Sequence, residues 1–486
     1  MSPRPTDPFC FPPPSRSLAA AIAIALASAS AWTDRAIAAT DHALYVAVTS
    51  CADSGPGSLR EVVANAFSGD TILLNQLPCP NKTITLTSGE VPISVASLTI
   101  TAASIENIAD SAVTSHLTVS GPGALATIDG GGESRVFNKT AAGYLSLSHF
   151  TLRNGVAQGP GGCLRALGDV TLTDMAVTGC TAHDTNSIDG LGGGILVSGN
   201  LALQFSRISN NVAASSALAS GGGVFVSGSL VMNESTISGN TATTPPGGSG
   251  FGGGLYSRGD ALVAYSTIAN NSAATVGGID LVGEGFTPSL IVFDSTISGN
   301  SGATGGMLAL GALHMASTTI AFNTSTLAGG VGGLVLTSTS TLNSTVIANN
   351  TSLAGTADIG QSCGPGSGCM VTVGGSNNLF MVATLPVPAD SLSDDPLLQP
   401  LADNGGLTLT HRPATGSPVI DHGNAVGAGL GVIGADQRGA GFMRIAGAAA
   451  DIGAFEAGGE TDVIFRNGFE DTGCPQAVAN APNVCP

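Results

Sequence analysis

The twenty residues GGGVFVSGSLVMNESTISGN, 221–240, contain one copy of what the chain repeats. A glycine run opens the segment. Val224 and Val226 then alternate with Phe225 and Ser227, the two-residue period of a strand. Gly228-Ser229 turns the chain, Leu230 and Met232 begin a second short strand, Thr236 and Ile237 belong to a third, and Gly239-Asn240 turns again. Three short strands separated by three turns cannot pair with one another inside one unit. They can pair with their equivalents one unit above and below, at about 4.8 Å spacing. The segment therefore predicts a parallel β-solenoid.

The closing phrase recurs. It reads FTLRNG at 150–155, MAVTGC at 175–180, SRISNN at 206–211, STISGN at 235–240, STIANN at 266–271, STISGN at 295–300, TTIAFN at 318–323 and TVIANN at 345–350. Its last positions are 25, 31, 29, 31, 29, 23 and 27 residues apart, the period of stacked supersecondary units. Val177, Ile208, Ile237, Ile268, Ile297, Ile320 and Ile347 then form one apolar column. Asn211, Asn240, Asn271, Asn300, Asn323 and Asn350 form a second column, a structural ladder in which each side-chain amide bonds the amide above and the turn backbone. The glycine runs at 192–194, 221–223 and 252–254, and the pairs at 277–278, 305–306 and 332–333, each precede a strand. No helix follows them, so they are turn glycines and not a phosphate cradle.

Composition narrows the function. Glycine contributes 69 of 486 residues and charged residues only 10%, against a usual quarter. The formal net charge of −18 argues against nucleic-acid partners and against anionic membranes. Residues 1–38 read as a signal peptide: Arg4 and Arg16 precede an apolar run from Leu18 to Ala29, too short to span a bilayer, and small-residue cleavage sites follow. No later segment offers a transmembrane helix. Eight cysteines outside that leader fall into local pairs, Cys51 with Cys79, Cys163 with Cys180, Cys363 with Cys369 and Cys474 with Cys485. Their connectivity cannot be proved from sequence. None has the C-x-x-C spacing of zinc or redox chemistry.

Both ends carry more specific signals. In DSGPGSLREVVANAFSGDTI, 53–72, Ser58 and Glu61 have capping-box spacing, and Leu59, Val62, Val63 and Ala66 form one apolar helical face. This segment resembles the GSLREA-type motif that opens secreted bacterial right-handed parallel β-helix proteins. ITLTSGEVPISVASLTI at 84–100 and SRVFN at 134–138 resemble the first coils of the same group. Residues 395–424 and DIGAFE at 451–456 resemble its C-terminal choice-of-anchor region, and VIFRNGFE at 463–470 resembles a tail motif of secreted gammaproteobacterial proteins. A more distant resemblance is to polymorphic outer-membrane protein repeats. Those end in a membrane barrel, for which the 30 residues after Glu456 are too few.

The resemblance implies an all-β fold, a single-stranded right-handed parallel β-helix of the pectate-lyase-like type, with an N-terminal capping helix. The handedness follows the rule for parallel crossovers. The expected organisation is a signal peptide at 1–38, a cap at 39–82 and coils at 83–385, roughly ten to twelve of them. A choice-of-anchor-like region at 386–457, fixed against the last coil, and a tail at 458–486 complete it. It also implies secretion to the outside or outer surface of a Gram-negative cell.

The scaffold carries both enzymes and binding proteins, so residues must decide. Hydrolytic sites need close carboxylates. Lyase-like sites need an acidic calcium cluster and a basic residue facing one groove. Between 155 and 350 there is no lysine, and Asp260, Asp280 and Asp294 are single acids in different coils, read as solvated turn residues. The best local cluster is His183, Asp184 and Asp189, in one of three longer segments, 181–191, 212–220 and 241–251. Insertions at one point of successive coils protrude on one face, where solenoids bind. That makes these three residues the candidate ligand site, with no catalytic residue and no metal site assigned. With only four tyrosines, and the single Trp32 inside the leader, aromatic sugar platforms look scarce. Asp421, Asp436, Asp451 and Glu456 lie in glycine-rich loops without an EF-hand pattern. No cofactor is assigned, and calcium is the one left open. The leading reading is a non-enzymatic, secreted or cell-surface structural or adhesive protein that meets an extracellular glycan or protein. The alternative is a divergent polysaccharide lyase or hydrolase. Peptide mapping of the exported protein should find cleavage before residue 40 and four intramolecular bridges; free thiols at Cys163 and Cys180 would remove the basis for a bridge between those coils.

Overall fold

The computed structural model describes residues 44–103, 125–183, 189–282, 289–355, 358–362, 371–427, 431–432 and 434–459. The chain winds into a parallel β-solenoid of about ten coils, with strands stacked in sequence order into long sheets of 12, 11, 10 and 8 strands. One coil shows the plan. Leu255–Ser257 lies in the 10-stranded sheet, Ala261–Ala264 in the 12-stranded, Thr267–Ala269 in the 11-stranded and Ser272–Ala273 in the 8-stranded sheet. The sequence reading expected three strands per coil; the fourth follows each closing Asn. A segment such as Thr241–Thr243 looks like part of a turn, yet its middle residue is buried and it pairs residue for residue with Val212–Ala214.

Register puts like on like. Val177, Ile208, Ile237, Ile268, Ile297, Ile320 and Ile347 pair consecutively and are wholly buried in the shared core. The column of amides is equally regular. Asn240 receives hydrogen bonds on Oδ1 from the backbone N–H (3.0 Å) and Nδ2 (2.9 Å) of Asn211, and donates its own Nδ2 to Asn271 Oδ1 (2.9 Å) and to the carbonyl of Ile208 (3.0 Å). The same pattern continues through Asn271, Asn300, Asn323 and Asn350. It ends on Asp358, whose carboxylate accepts both donors of Asn350 at 2.8 Å. It begins at Cys180, whose N–H donates to Asn211 Oδ1 while its sulfur bonds Cys163, with Cα atoms 5.5 Å apart. Cys51 and Cys79 form a second bridge. Cys363, Cys369, Cys474 and Cys485 lie outside the described residues, as does 1–43.

A second ladder at another corner uses serine. The N–H groups of Met175, Ser206, Ser235 and Ser266 donate to the hydroxyls of Ser206, Ser235, Ser266 and Ser295. The glycine runs have a steric cause: a Cβ on Gly222 would lie 2.3 Å from the carbonyl oxygen of Gly253, one coil on. At the first turn of the chain, Ser58 caps the helix Leu59–Ala64, accepting from the N–H of Glu61, and Leu59 and Val63 enter the core. Arg60 ties this helix to the first coils through the carbonyls of Gly89 and Glu90 and an ion pair with Asp53.

The segment from about residue 386 does not stop at the last coil. It returns along the outer face of the 11-stranded sheet. Thr267 donates to the carbonyl of Leu409, Thr296 to Gln437 and Thr319 accepts from the N–H of Ala454; Ser298 meets His411. Val419 and Ile452 pack on Val346, Ala348 and Leu379. Outward threonines stacked one per coil offer hydroxyls at the rise of the solenoid, and the returning chain bonds Thr267, Thr296 and Thr319. Replacing Asn271 by Ala leaves two donors of Asn240 without their acceptor, and should cost about 1–3 kcal/mol in denaturant unfolding. Ile268→Asp, a charge between two coils, should abolish folding. Parent-like unfolding of both variants would contradict the inward columns.

Candidate functional site

Two-layered expansions occur in three successive coils. Thr181–His183, Val212–Ala214 and Thr241–Thr243 stack in register, and after each the chain returns as a second strand, Gly190–Leu191, Leu218–Ser220 and Ser249–Phe251. The three segments picked out by length, 181–191, 212–220 and 241–251, thus build one limb on one side of the solenoid. Its two layers are held together by Ala213, Ala219, Ala242 and Ala273, all buried. Small residues are required because the layers nearly touch; a Cβ on Gly190 would lie 2.5 Å from the carbonyl oxygen of Ala214.

The limb carries a shallow concavity of about 440 Å³ lined by His183, Ala214, Ser215, Ser216, Thr243, Thr244 and Pro245. Ser215 holds its shape, its Oγ accepting from the N–H groups of Ala217 and Leu218 at 3.1 Å. Of the predicted cluster, His183 lines this surface. Asp189, half-buried, immediately precedes the returning strand and is not among the lining residues. Asp184 lies outside the described residues. Hydroxyls and methyls from three coils meet one imidazole here, a surface suited to hydrogen bonding and close contact.

Beside the limb stands a group that the sequence reading missed. Phe225 and Tyr256 stack with ring centroids 5.0 Å apart, Phe251 tilts against Tyr256, and the Arg258 guanidinium lies 5.2 Å above Phe225. Phe225 is buried; Phe251, Tyr256 and Arg258 are partly exposed. The signal was there: GGGVF at 221–225 and GGGLY at 252–256 put an aromatic residue at the same repeat position. A count of tyrosines hides it, because stacking depends on register and not on abundance.

In the next coil Asp280 occupies the position of Tyr256 and is fully buried, with neither carboxylate oxygen hydrogen-bonded. Burial pushes its pKa up to about 7. Asp294 is also fully buried. Both depart from the expectation of solvated turn residues: Asp280 lies inside the strand Ile279–Leu281 and is buried, and Arg444 of the returning C-terminal segment reaches Asp294. Asp260 does stay exposed, accepting from the N–H of Ser289. Asp129 is held by Arg153 and Asn154, and Asp169 accepts from the N–H of Asn200. The C-terminal acids are internal fasteners. Glu456 accepts from the N–H groups of Ala446 and Asp451, and Asp436 forms a buried pair with Arg438.

The strand order and parallel register define the class: a single-chain parallel β-solenoid with a side limb and a returning C-terminal segment. No family model matches the chain, and no curated protein does. Among solved structures, the crystal structure of pectate lyase Pel9A is similar at 14% identity and a TM-score of 0.45, over 87% of this chain and 98% of that one. The likeness is one of fold alone. No helix among the described residues is long and apolar enough to cross a membrane.

Asp280 yields a pH test. Its raised folded pKa means that its contribution to stability is full below the ordinary carboxylate value of 3.8 and is lost as pH rises through about 7. Asp280→Asn should therefore gain stability over the parent at pH 8.5, on the order of a few kcal/mol, and little at pH 4. Equal gains at both values in urea unfolding would exclude an ionising buried Asp280.

Proposed function

We propose that this chain is a secreted or surface-displayed, non-enzymatic β-solenoid whose limb of stacked expansions is an adhesive face for an extracellular glycan or protein. The observation that carries the proposal is the registration of three insertions into one rigid limb with a hydroxyl-lined concavity. A rigid scaffold that holds loop chemistry in a fixed array is the usual basis of recognition. The partly exposed aromatic and arginine group beside it extends the same side of the molecule. The coil carboxylates named above support a binding role as well. They sit on different strands and turns, each tied to an arginine, an asparagine or a main-chain amide, or buried. Acid–base cleavage of a glycan needs two carboxyl groups facing one substrate. The two disulfides and the absence of C-x-x-C spacing suit an oxidising compartment.

The competing reading is a polysaccharide-active enzyme on the same scaffold, since a fold of this kind does not determine activity. A panel of pectin-, alginate- and chondroitin-class polymers, with and without calcium, should give no unsaturated or reducing-sugar product. Binding to glycan arrays or cell surfaces should fall at least about tenfold, or roughly 1.4 kcal/mol, when 184–188, 215–217 and 244–248 are shortened together. Product formation that is lost on replacing His183 or Asp189 would establish the enzyme reading instead. Undiminished binding would move the site off the limb.

A further inference from the structure

We infer that the returning C-terminal segment is a proton-operated strap: it docks on the solenoid by burying more carboxylates than guanidiniums, so docking takes up protons. The groups concerned are Asp294, from a turn of the solenoid, and Asp436, Asp451, Glu456, Arg438 and Arg444, from the segment. All are 3% exposed or less.

Arg438 and Asp436 satisfy each other. Arg438 Nε and Nη2 donate to Asp436 Oδ2 at 2.9 and 2.6 Å, and the guanidinium is sandwiched by Phe442 and Phe455 at 4.1 and 3.8 Å. That leaves Arg444 facing three carboxylates. Its Nη1 reaches Asp294 Oδ1 at 3.4 Å, its Nη2 is spent on the carbonyls of Asp451 and Gly453, and its Nε has no partner. Asp294 Oδ2 is likewise unpartnered. Asp451 and Glu456 accept main-chain N–H groups from Asp421, Ala457, Ala446 and Asp451. Those dipoles favour the charged carboxylates, but burial outweighs them and they supply no counter-charge for the two surplus groups. Neutralisation by protons is the remaining route for this set.

Two neighbouring carboxylates add to the surplus: Glu234, in the same column as Asp294, and Asp421, exposed beside Asp451. Tyr265, between Glu234 and Asp294 in that column, adds no charge, because burial and the carboxylates beside it raise its phenol pKa. Burial raises Asp294 and Asp451, and pushes Glu456 to about 7. A raised folded pKa stabilises docking below the free carboxylate value, and that stabilisation is lost as pH rises through the folded one. His411 works in the other direction. It is buried between Ser298 and the carbonyl of Gln399, and desolvation lowers its pKa. Its contribution is full above 6.5 and is lost when acid forces a proton onto it. The strap is therefore held best in mildly acidic solution and loosens above neutrality. The coils are joined mainly by amides and hydroxyls that do not titrate. The other coil carboxylates with raised pKa are Asp280 and Asp358, so parent and variants are compared in an Asp280→Asn background and the coils are read at Asn240 and Asn271, away from Asp358.

Hydrogen exchange on the full chain tests this, with protection factors corrected for intrinsic rates at pH 6 and 8.5. Protection across 408–456 should drop with rising pH, by up to roughly tenfold per pH unit for each linked proton. The amides of Asn240 and Asn271 should keep theirs. Glu456→Gln and, separately, Asp294→Asn should each weaken the pH dependence and retain more strap protection than the parent at pH 8.5. Equal strap protection at both pH values in the parent would overturn the inference. So would parallel loss from coils and strap, or a parent-like profile in both variants.

Discussion

The described strands of the coils pair in parallel register with strands of neighbouring turns of the chain. That constraint demands that corners superimpose, because a coil with a displaced corner would break pairing in the sheets on either side. The amide ladder from Asn211 to Asn350 meets the demand at one corner. Each Asn donates to the side chain one coil on and to the isoleucine or valine carbonyl one coil back, and its Oδ1 accepts from the coil before, so a polar column is buried with its hydrogen bonds met. The serine hydroxyls do the same at a second corner with a shorter reach. Cys180 shows how the ladder starts. A disulfide replaces the amide in the coil where no Asn lies below it to share the bond.

Regular corners make regular faces, and the molecule uses them in two ways. On the 11-stranded sheet, Thr267, Thr296 and Thr319 point outward at coil spacing and are taken up by the molecule's own C-terminal segment. On the 8-stranded sheet the corresponding hydroxyl row stays open, and Thr324 and Thr351 bond only each other. The limb departs from the rest by insertion and not by any change in the coil beneath it. Its strands inherit their register from the coils, which is why insertions of different length still align.

Residue patterns revealed the repeat, the inward isoleucines and the amide column, because these depend on interactions between equivalent positions. They also located the three expansions, since added length in successive repeats is visible in the spacing of the closing phrases. They missed the short strand after each Asn, where two or three residues are too few to show a period. They missed the Phe225–Tyr256 stack, which needs the repeats to be aligned on their glycines. They also read Asp280 and Asp294 as solvated. A lone Asp in a turn has no sequence mark that distinguishes water from a covering segment 150 residues away, as Arg444 is from Asp294.

The sequence by itself determined the coil. Glycine runs, branched residues at a two-residue period and a closing Asn at intervals of 23 to 31 residues leave parallel stacking as the way to satisfy the backbone. Only the tertiary structure decided what lies on the outside of that coil. The placement of the C-terminal segment rests on contacts such as Gln437 with Thr296 and Ala454 with Thr319, between residues of no shared pattern. Nearest-neighbour stacking is local and repeated, so it is written many times along the chain. A lateral contact is written once, between residues far apart, and only the folded coordinates reveal it.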